Sequence, residues 1–213
     1  MKRMAFILTC LLGGLLVSVQ VVSAGTLNFT FTMLADSTLD GFPGTILRNA
    51  EPFVPTQDFF VFQELGMYRV YAVRTAGSTW TTWATPRYFS GVSSMIVGQT
   101  WRGVDTDIGQ QTLATVAAFE TITVPAGTFS CYRIDITTAS MPFVIQSYWV
   151  ADGMGEVKEK IWEGSGYSIG ELQSFSITGT GFFPTTVGNL WDFTDVFVPV
   201  QETTWGKLKA QYR

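Results

Sequence analysis

Histidine is missing altogether from this chain, and that absence excludes more chemistry than any residue present. Ser-His-Asp and Cys-His catalysis need an imidazole base, the common zinc sites need imidazole ligands, and the side chain that titrates near neutral pH is gone. Cysteine is nearly as scarce, with only Cys10 and Cys131. Cys10 falls in a leader, so a single thiol remains, no internal disulfide forms, and stability rests on the core. Cys131 is read as structural, the alternatives being a reactive thiol or an intermolecular disulfide. Charged residues make up 14% of the chain and form no basic block, which argues against a nucleic-acid partner. No metal site and no cofactor is expected. Asp105-Thr106-Asp107, the one close carboxylate pair in an oxygen-rich setting, lacks the glycine and distal glutamate of a calcium loop and reads as a solvated turn.

The first 24 residues read as an export signal. Lys2 and Arg3 precede an apolar run from Ala5 to Val17, and Val22-Ser23-Ala24 offers a small-residue cleavage site. The mature chain is expected to begin at Gly25, in the periplasm or outside a bacterial cell, with no retained transmembrane segment. Lipidation at Cys10 is disfavoured, because Thr9 stands where a small residue is wanted. Losing Lys2 and Arg3 takes the 13 basic residues to 11, against 17 acidic ones.

The remainder is rich in sheet-forming material, with 46% hydrophobic and 15% aromatic residues, enough to give residues 25–200 one core. Thr26 to Met33 sets Leu27, Phe29, Phe31 and Met33 against Thr26, Asn28, Thr30 and Thr32, the period of a half-buried strand. The sequon Asn28-Phe29-Thr30 lies inside that strand. From Ala35 to Pro55, Asp36, Gly41, Pro43, Gly44, Pro52 and Pro55 predict a long loop. Asp58 to Leu65, Met67 to Thr75 and Thr79 to Thr85 predict an antiparallel meander, and the unbroken run Phe59, Phe60, Val61, Phe62 predicts burial on both faces. Ile108 to Phe119 mixes helix and strand formers. The length of the following strand argues for strand from Thr112.

Ala118 to Thr138 is the strongest hairpin signal. Pro125, Ala126 and Gly127 predict a three-residue turn, with Pro125 presetting φ and Gly127 in a left-handed conformation, which sets Val124 opposite Thr128. That register puts Ile122, Val124, Tyr132, Ile134 and Ile136 on a core face. Thr121, Thr123, Cys131, Arg133 and Asp135 fall on a largely wet face, with Phe129 as its apolar exception. Pro142 to Val150 is expected as the central strand, Phe143, Ile145 and Trp149 pointing one way and Val144, Tyr148 and Val150 the other. Glu156 to Trp162 returns after a turn, and Glu171 to Thr178 is the last clear strand. The pentapeptide at 97–101, VGQTW, is echoed at 187–191 by VGNLW, by duplication or by coincidence. Residues 201–213 form a basic amphipathic tail, with Thr203 or Thr204 able to cap a short helix carrying Lys207, Lys209 and Arg213. The fold expected is mainly β, an antiparallel curved sheet or half-open β-barrel meander of about ten strands with a short C-terminal helical tail.

Three segments, ETITVPAGTF at 120–129, YWVADGMGEVK at 148–158 and FPTTVGNLW at 183–191, together resemble a broad group of uncharacterised exported bacterial proteins that carry a VPAGTF hairpin. That group is similar to the curved half-barrels of the lipoprotein carriers LolA and LolB. In the group the last segment opens the domain, whereas here it comes near the end. The resemblance implies no catalytic residues.

Two functions stay in play. One is a non-catalytic binding or structural protein whose concave sheet holds a lipid or other apolar or amphipathic ligand, with Phe143, Ile145, Trp149 and Phe129 as candidate contacts. The other is a glycosidase-type hydrolase using a carboxylate pair drawn from Glu64, Asp105, Asp135, Glu156 and Glu163, one of them with a raised pKa.

Overall fold

The structure, a computed structural model, describes residues 26–52, 54–64, 67–91, 95–105 and 110–200. Those residues contain twelve strands and no helix: β1 (Thr26–Leu39), β2 (Phe42–Ala50), β3 (Gln57–Glu64), β4 (Met67–Thr75), β5 (Thr81–Gly91), β6 (Thr100–Asp105), β7 (Gln110–Val124), β8 (Gly127–Thr138), β9 (Met141–Ala151), β10 (Gly155–Trp162), β11 (Gly166–Ser176) and β12 (Leu190–Pro199). They form one antiparallel sheet in the order β5-β4-β3-β2-β1-β12-β11-β10-β9-β8-β7-β6. Chain neighbours pair throughout, and the junction of β1 with β12 joins the two runs. The ladder is open at β5 and β6. Laid flat, twelve strands spaced by ~4.8 Å would hold those edges about 50 Å apart. Their Cα atoms instead come within 8 Å, so the sheet coils back on itself. The export signal, the tail with its expected helix, and Asp107 lie outside the described residues.

The expected loop from Ala35 to Pro55 is largely strand. Asp40 and Gly41 both adopt positive φ, 50° and 85°, the backbone of a two-residue turn whose twist matches its flanking strands. β1 therefore runs on to Leu39 and β2 begins at Phe42. Pro43 pairs with Thr38 at the hairpin end, beyond the β2–β3 ladder, which starts at Thr45, so its missing N–H costs that ladder nothing. Gly44 is required by close approach: a Cβ there would lie 2.5 Å from the Val61 carbonyl oxygen and 2.7 Å from the Phe60 ring.

The β7–β8 hairpin also departs from the expected register. Its loop is the two residues Pro125 and Ala126, so Val124 pairs with Gly127 and Ile122 with Phe129. A one-residue slip moves a whole set of side chains to the other face. Ile122, Val124, Phe129 and Cys131 consequently share a face and join the larger core cluster with Leu172, Phe193 and Phe29. Tyr132, Ile134 and Ile136 join a second cluster built on Ala114, Val116 and Val150. Cys131, expected on a wet face, is fully buried. Burial first, and the nearby Glu120 carboxylate second, push its thiol up to about 12, so it stays protonated and unreactive. Gly127 has φ +143° with the Phe129 ring 3.6 Å from where its Cβ would be. Gly127→Val is expected to cost about 1–3 kcal/mol of unfolding free energy in urea. Gly127→Asn gains little relief, because this φ lies far from the left-handed region that asparagine tolerates.

The run from Phe59 to Phe62 is indeed enclosed on both sides: Val61 enters the larger cluster, while Phe60 and Phe62 form a third with Ala72. Strand β9 holds the expected central segment but lies toward the β6 end of the order. The middle belongs to β12 and β11.

The two VG echoes perform the same job. Gly98 N–H donates to the Val116 carbonyl and Val116 N–H to the Gln99 carbonyl; Gly188 N–H donates to the Met33 carbonyl and Met33 N–H to the Asn189 carbonyl, all at 2.8 or 2.9 Å. Each echo thus clips the strand beside it, and each clipped residue precedes a bulge, between Met33 and Ala35 in β1 and between Val116 and Ala118 in β7. The sheet order divides accordingly into β6 to β11 and a second set in which β12 precedes β1 to β5. Asn189, 1% exposed, ties its clip down: Oδ1 accepts from Thr178 N–H at 2.8 Å, and Nδ2 donates to the Thr178 and Pro184 carbonyls at 2.9 Å each. Asn189→Leu strands these backbone groups, and thermal unfolding is expected to show a loss of about 2–4 kcal/mol.

Candidate functional site

Strands β9 to β12 present a face with apolar side chains open to solvent. Trp162 pairs with Tyr167 across β10 and β11, and Tyr167 with Val198 across β11 and β12, so all three point the same way. Two residues along, Lys160, Ile169 and Val196 form a parallel row. The Phe143 ring on β9 meets Trp162 edge-on at 5.6 Å, and Trp162 meets Tyr167 at 5.0 Å. Phe143 is 43% exposed, Val196 41% and Val198 46%. Nothing among the described residues covers them, and a contiguous exposed apolar strip is an uncommon surface for a protein to leave bare. One cation stands in it: Lys160 Nζ lies 3.8 Å from the Tyr167 ring centroid. Carboxylates on β11 and β8 are spoken for, Glu171 by Lys158 at 2.6 Å and Asp135 by Arg133 at 3.2 Å and Ser147 Oγ at 2.8 Å.

The candidate ligand contacts divide. Phe143 lies in the exposed strip, and Ile145 occupies the same side of β9 half-buried. Trp149 is committed to the protein: its Nε1–H donates to Glu120 Oε1 at 2.6 Å, and its ring packs against the larger core cluster. Phe129 packs against that cluster too, meeting Phe175 edge-on at 6.3 Å. Trp162, Tyr167, Val196 and Val198 were not among the candidates. The alternation of valines at 196, 198 and 200 is the signal that marks them.

On the other face of the same strands a row of acids runs into the core. Glu159 pairs with Gly170, and Gly170 with Asp195; the next row along β11 and β12 is Leu172 with Phe193, both buried. Gly170 provides the room, since a Cβ there would lie 2.8 Å from Glu159 Cγ. Burial, the Asp195 charge and the Glu51 and Glu163 charges push Glu159 up to about 8, partly offset by a hydrogen bond with Glu156. Burial pushes Glu156 up as well, helped by the Glu159 charge and hydrogen bond. Burial and then Asp195 take Glu163 up to about 7. Glu51, raised by burial, accepts from Asn49 Nδ2 at 2.9 Å, and Ser168 Oγ donates to Asp195. Two of the proposed hydrolytic acids, Glu156 and Glu163, therefore each act on Glu159, Glu156 by a hydrogen bond and Glu163 through its charge, without being paired with each other. Asp135 stands apart with Ser147 and Arg133, and the side chains of Glu64 and Asp105 lie outside the described set. Among the described residues no group of acids and cysteine is arranged to hold a metal ion.

A family model described as DUF3108-like, an uncharacterised family, matches residues 92–174. The match spans β6 to β10 and most of β11, the first of the two strand sets, and contains the hairpin of 120–129 and the turn of 148–158. Neither the curated proteins nor the solved structures searched gave a match.

Proposed function

We propose that this chain is an exported, non-catalytic binding protein that holds an apolar or amphipathic molecule, a lipid or lipid-like chain, against the β9–β12 face. The observation that carries this reading is the strip of Phe143, Trp162, Tyr167, Val196 and Val198, continuous across four strands, with Phe143, Val196 and Val198 exposed and Trp162 and Tyr167 half-buried between them. Aromatic rings and valines bind alkyl chains by removing both from water, at roughly 25 cal/mol per Å² buried, and such a face needs no reacting group. The coiling of the sheet supports the finer expectation of a half-open barrel of the carrier type. Titration with a fluorescent fatty acid tests the reading: saturable binding is expected, weakened at least about fivefold by Val198→Asp. A folded protein that gives no saturable response would leave a bare scaffold.

The acid cluster favours a second reading, carboxylate-pair hydrolysis, because a general acid needs a pKa raised toward neutrality. Glu159 and Glu163 meet that requirement. They lie beside packed core residues, and the first reading is preferred for that reason. Turnover of an aryl glycoside that disappears in Glu159→Gln would reverse the preference.

A further inference from the structure

We infer that the acid row on the core-facing side of β10 to β12 is a binding site for an organic cation, a di- or polyamine whose ammonium groups dock on Glu156, Glu159 and Asp195. This site lies on the opposite face from the apolar strip and does not depend on it. The feature that asks for a ligand is a set of buried acceptor oxygens without a donor: Glu156 Oε1, Asp195 Oδ1 and Asn49 Oδ1 have no hydrogen-bond partner among the described residues. Glu156 is 7% exposed and Asn49 8%, and leaving a buried acceptor unmet is costly. Both side chains are aimed into the row. The Glu156 carboxyl hydrogen-bonds with Glu159, and Asn49 Nδ2 donates to Glu51 Oε1 at 2.9 Å, which leaves its Oδ1 as the open acceptor. Asp195 uses one oxygen to accept from Ser168 Oγ and keeps the other unpartnered.

The protein supplies no cation of its own here. Burial and neighbouring acids raise Glu51, Glu156, Glu159 and Glu163, and no lysine or arginine is among the groups that act on them. Lys158 and Lys160, on either side of Glu159 in sequence, alternate to the opposite face, where Lys158 holds Glu171 at 2.6 Å and Lys160 stands 3.8 Å from the Tyr167 ring centroid. On the side of the row, β11 presents Ser168 and Gly170, β1 presents Leu27 and Phe29, and β9 presents Tyr148 opposite Glu159. Spacing selects the class of cation. β11 separates Glu159 from Asp195, two strand spacings or about 10 Å along the sheet, and no group of acids among the described residues is arranged to hold a metal ion. One compact ion does not span the row, whereas ammonium groups joined by methylenes reach successive acids. An ammonium carries three donors and no acceptor, the complement of oxygens that only accept. Phe29, its Cζ 3.2 Å from where a Gly170 Cβ would be, gives the methylenes an apolar wall. Glu51, Glu159 and Glu163 are half-buried, so the row is reached from solvent above the buried Glu156.

Isothermal titration of the folded protein with spermidine, at pH 6 and pH 8 and at one ionic strength, tests this. Docking of ammonium groups displaces the protons that burial retains on the acids. Saturable heat is therefore expected at pH 8, with affinity at least about tenfold weaker at pH 6 and a heat that changes with the ionisation enthalpy of the buffer. Glu159→Gln and Asp195→Asn, which keep the shape and remove the charge, should each weaken binding about tenfold or more, while Glu171→Gln on the opposite face leaves it within about twofold. Thermal unfolding at pH 8 establishes that the variants are folded, and Glu159→Gln is expected to be more stable there than the parent. No saturable heat at pH 8 in the folded parent, or binding that survives both Glu159→Gln and Asp195→Asn, overturns the inference. Calcium bound at the row that spermidine fails to displace would assign it to a metal ion, with the same consequence. Val198→Asp, which should impair fatty-acid binding, is expected to leave spermidine binding intact; loss of spermidine in that folded variant would place the amine on the strip and also overturn the inference.

Discussion

Asp58→Ala is expected to lower the unfolding free energy by about 3–5 kcal/mol, because removing one partner of a buried ion pair leaves the other charges uncompensated. The Asp58 side chain is completely buried. Arg48 approaches it from β2, Nε to Oδ1 at 2.7 Å and Nη2 to Oδ2 at 3.1 Å, and Arg74 from β4, Nε to Oδ2 at 3.1 Å. The carboxylate thus ties three adjacent strands together. Arg74 is further fixed by stacking its guanidinium 4.2 Å from the Trp80 ring centroid. Burial alone would raise the Asp58 pKa, but the hydrogen bonds and charges of the two arginines hold it below the ordinary carboxylate range. Removing the acid leaves two guanidinium groups facing each other across a half-dry site. Urea unfolding measures the cost, and Asp58→Asn, which keeps the shape and loses the charge, should be nearly as harmful. A loss below about 1 kcal/mol for both would contradict this account of the β2–β3–β4 region.

The second large effect is a fall in stability as pH rises from about 5 to 8. Glu163 and Glu159 titrate in the folded protein near 7 and 8, well above the 4.5 they have when free, and Glu156 is raised too. Below the free value both folded and unfolded chains hold these protons, and folding carries no penalty. Above it the unfolded chain gives them up first, and each proton kept only by the folded state costs about 1.4 kcal/mol per pH unit until the folded pKa is reached. Allowing for partial solvent exposure of the cluster, the decline is expected to be about 2–4 kcal/mol, flattening above pH 8. Asp58 acts in the opposite sense: its stabilisation is present above its unfolded pKa and disappears as pH falls through the depressed folded one, so the stability maximum belongs near pH 5. Unfolding in urea at pH 5, 6, 7 and 8 gives the curve directly. Glu159→Gln removes one retained proton and should raise stability at pH 8 while flattening the slope. A flat or rising parent curve would show that the acids do not share the buried row described above.

Local pattern carried the fold a long way and failed where two residues decide. The alternation in Thr26 to Met33 and the aromatic run of β3 specify strands because period-2 burial leaves few other solutions. The long loop expected after Met33 arose from weighing Pro43 and Gly44 as breakers, when the Asp40-Gly41 pair turns the chain tightly and places both at a hairpin end. In β8 the choice between a two- and a three-residue turn decides which of Cys131 and Tyr132 joins which cluster, and Pro-Ala-Gly is compatible with either. The exposed strip was half legible: Phe143 and Ile145 stand out in an apolar strand, whereas Trp162, Tyr167 and Val198 become neighbours only through the registers of β10, β11 and β12. The acid row was less legible still. Glu159 comes from β10, Asp195 from β12, and Glu51 follows the end of β2, and each looks like an ordinary surface charge until Gly170 is seen to give Glu159 its space. The echo of VGQTW in VGNLW was plain as spelling. Its meaning needed the matching hydrogen bonds to Val116 and Met33.

The most direct test of the proposed binding face is quenching of tryptophan emission by a fatty acid brominated on its alkyl chain, since bromine quenches only on close approach. The account predicts saturable quenching in the parent protein that falls to a small remainder in Trp162→Phe, because Trp162 lies in the strip while Trp191 is buried and Trp80, Trp101 and Trp149 pack against the core clusters. Quenching of the same depth in Trp162→Phe, or none at all in the folded parent, would contradict it.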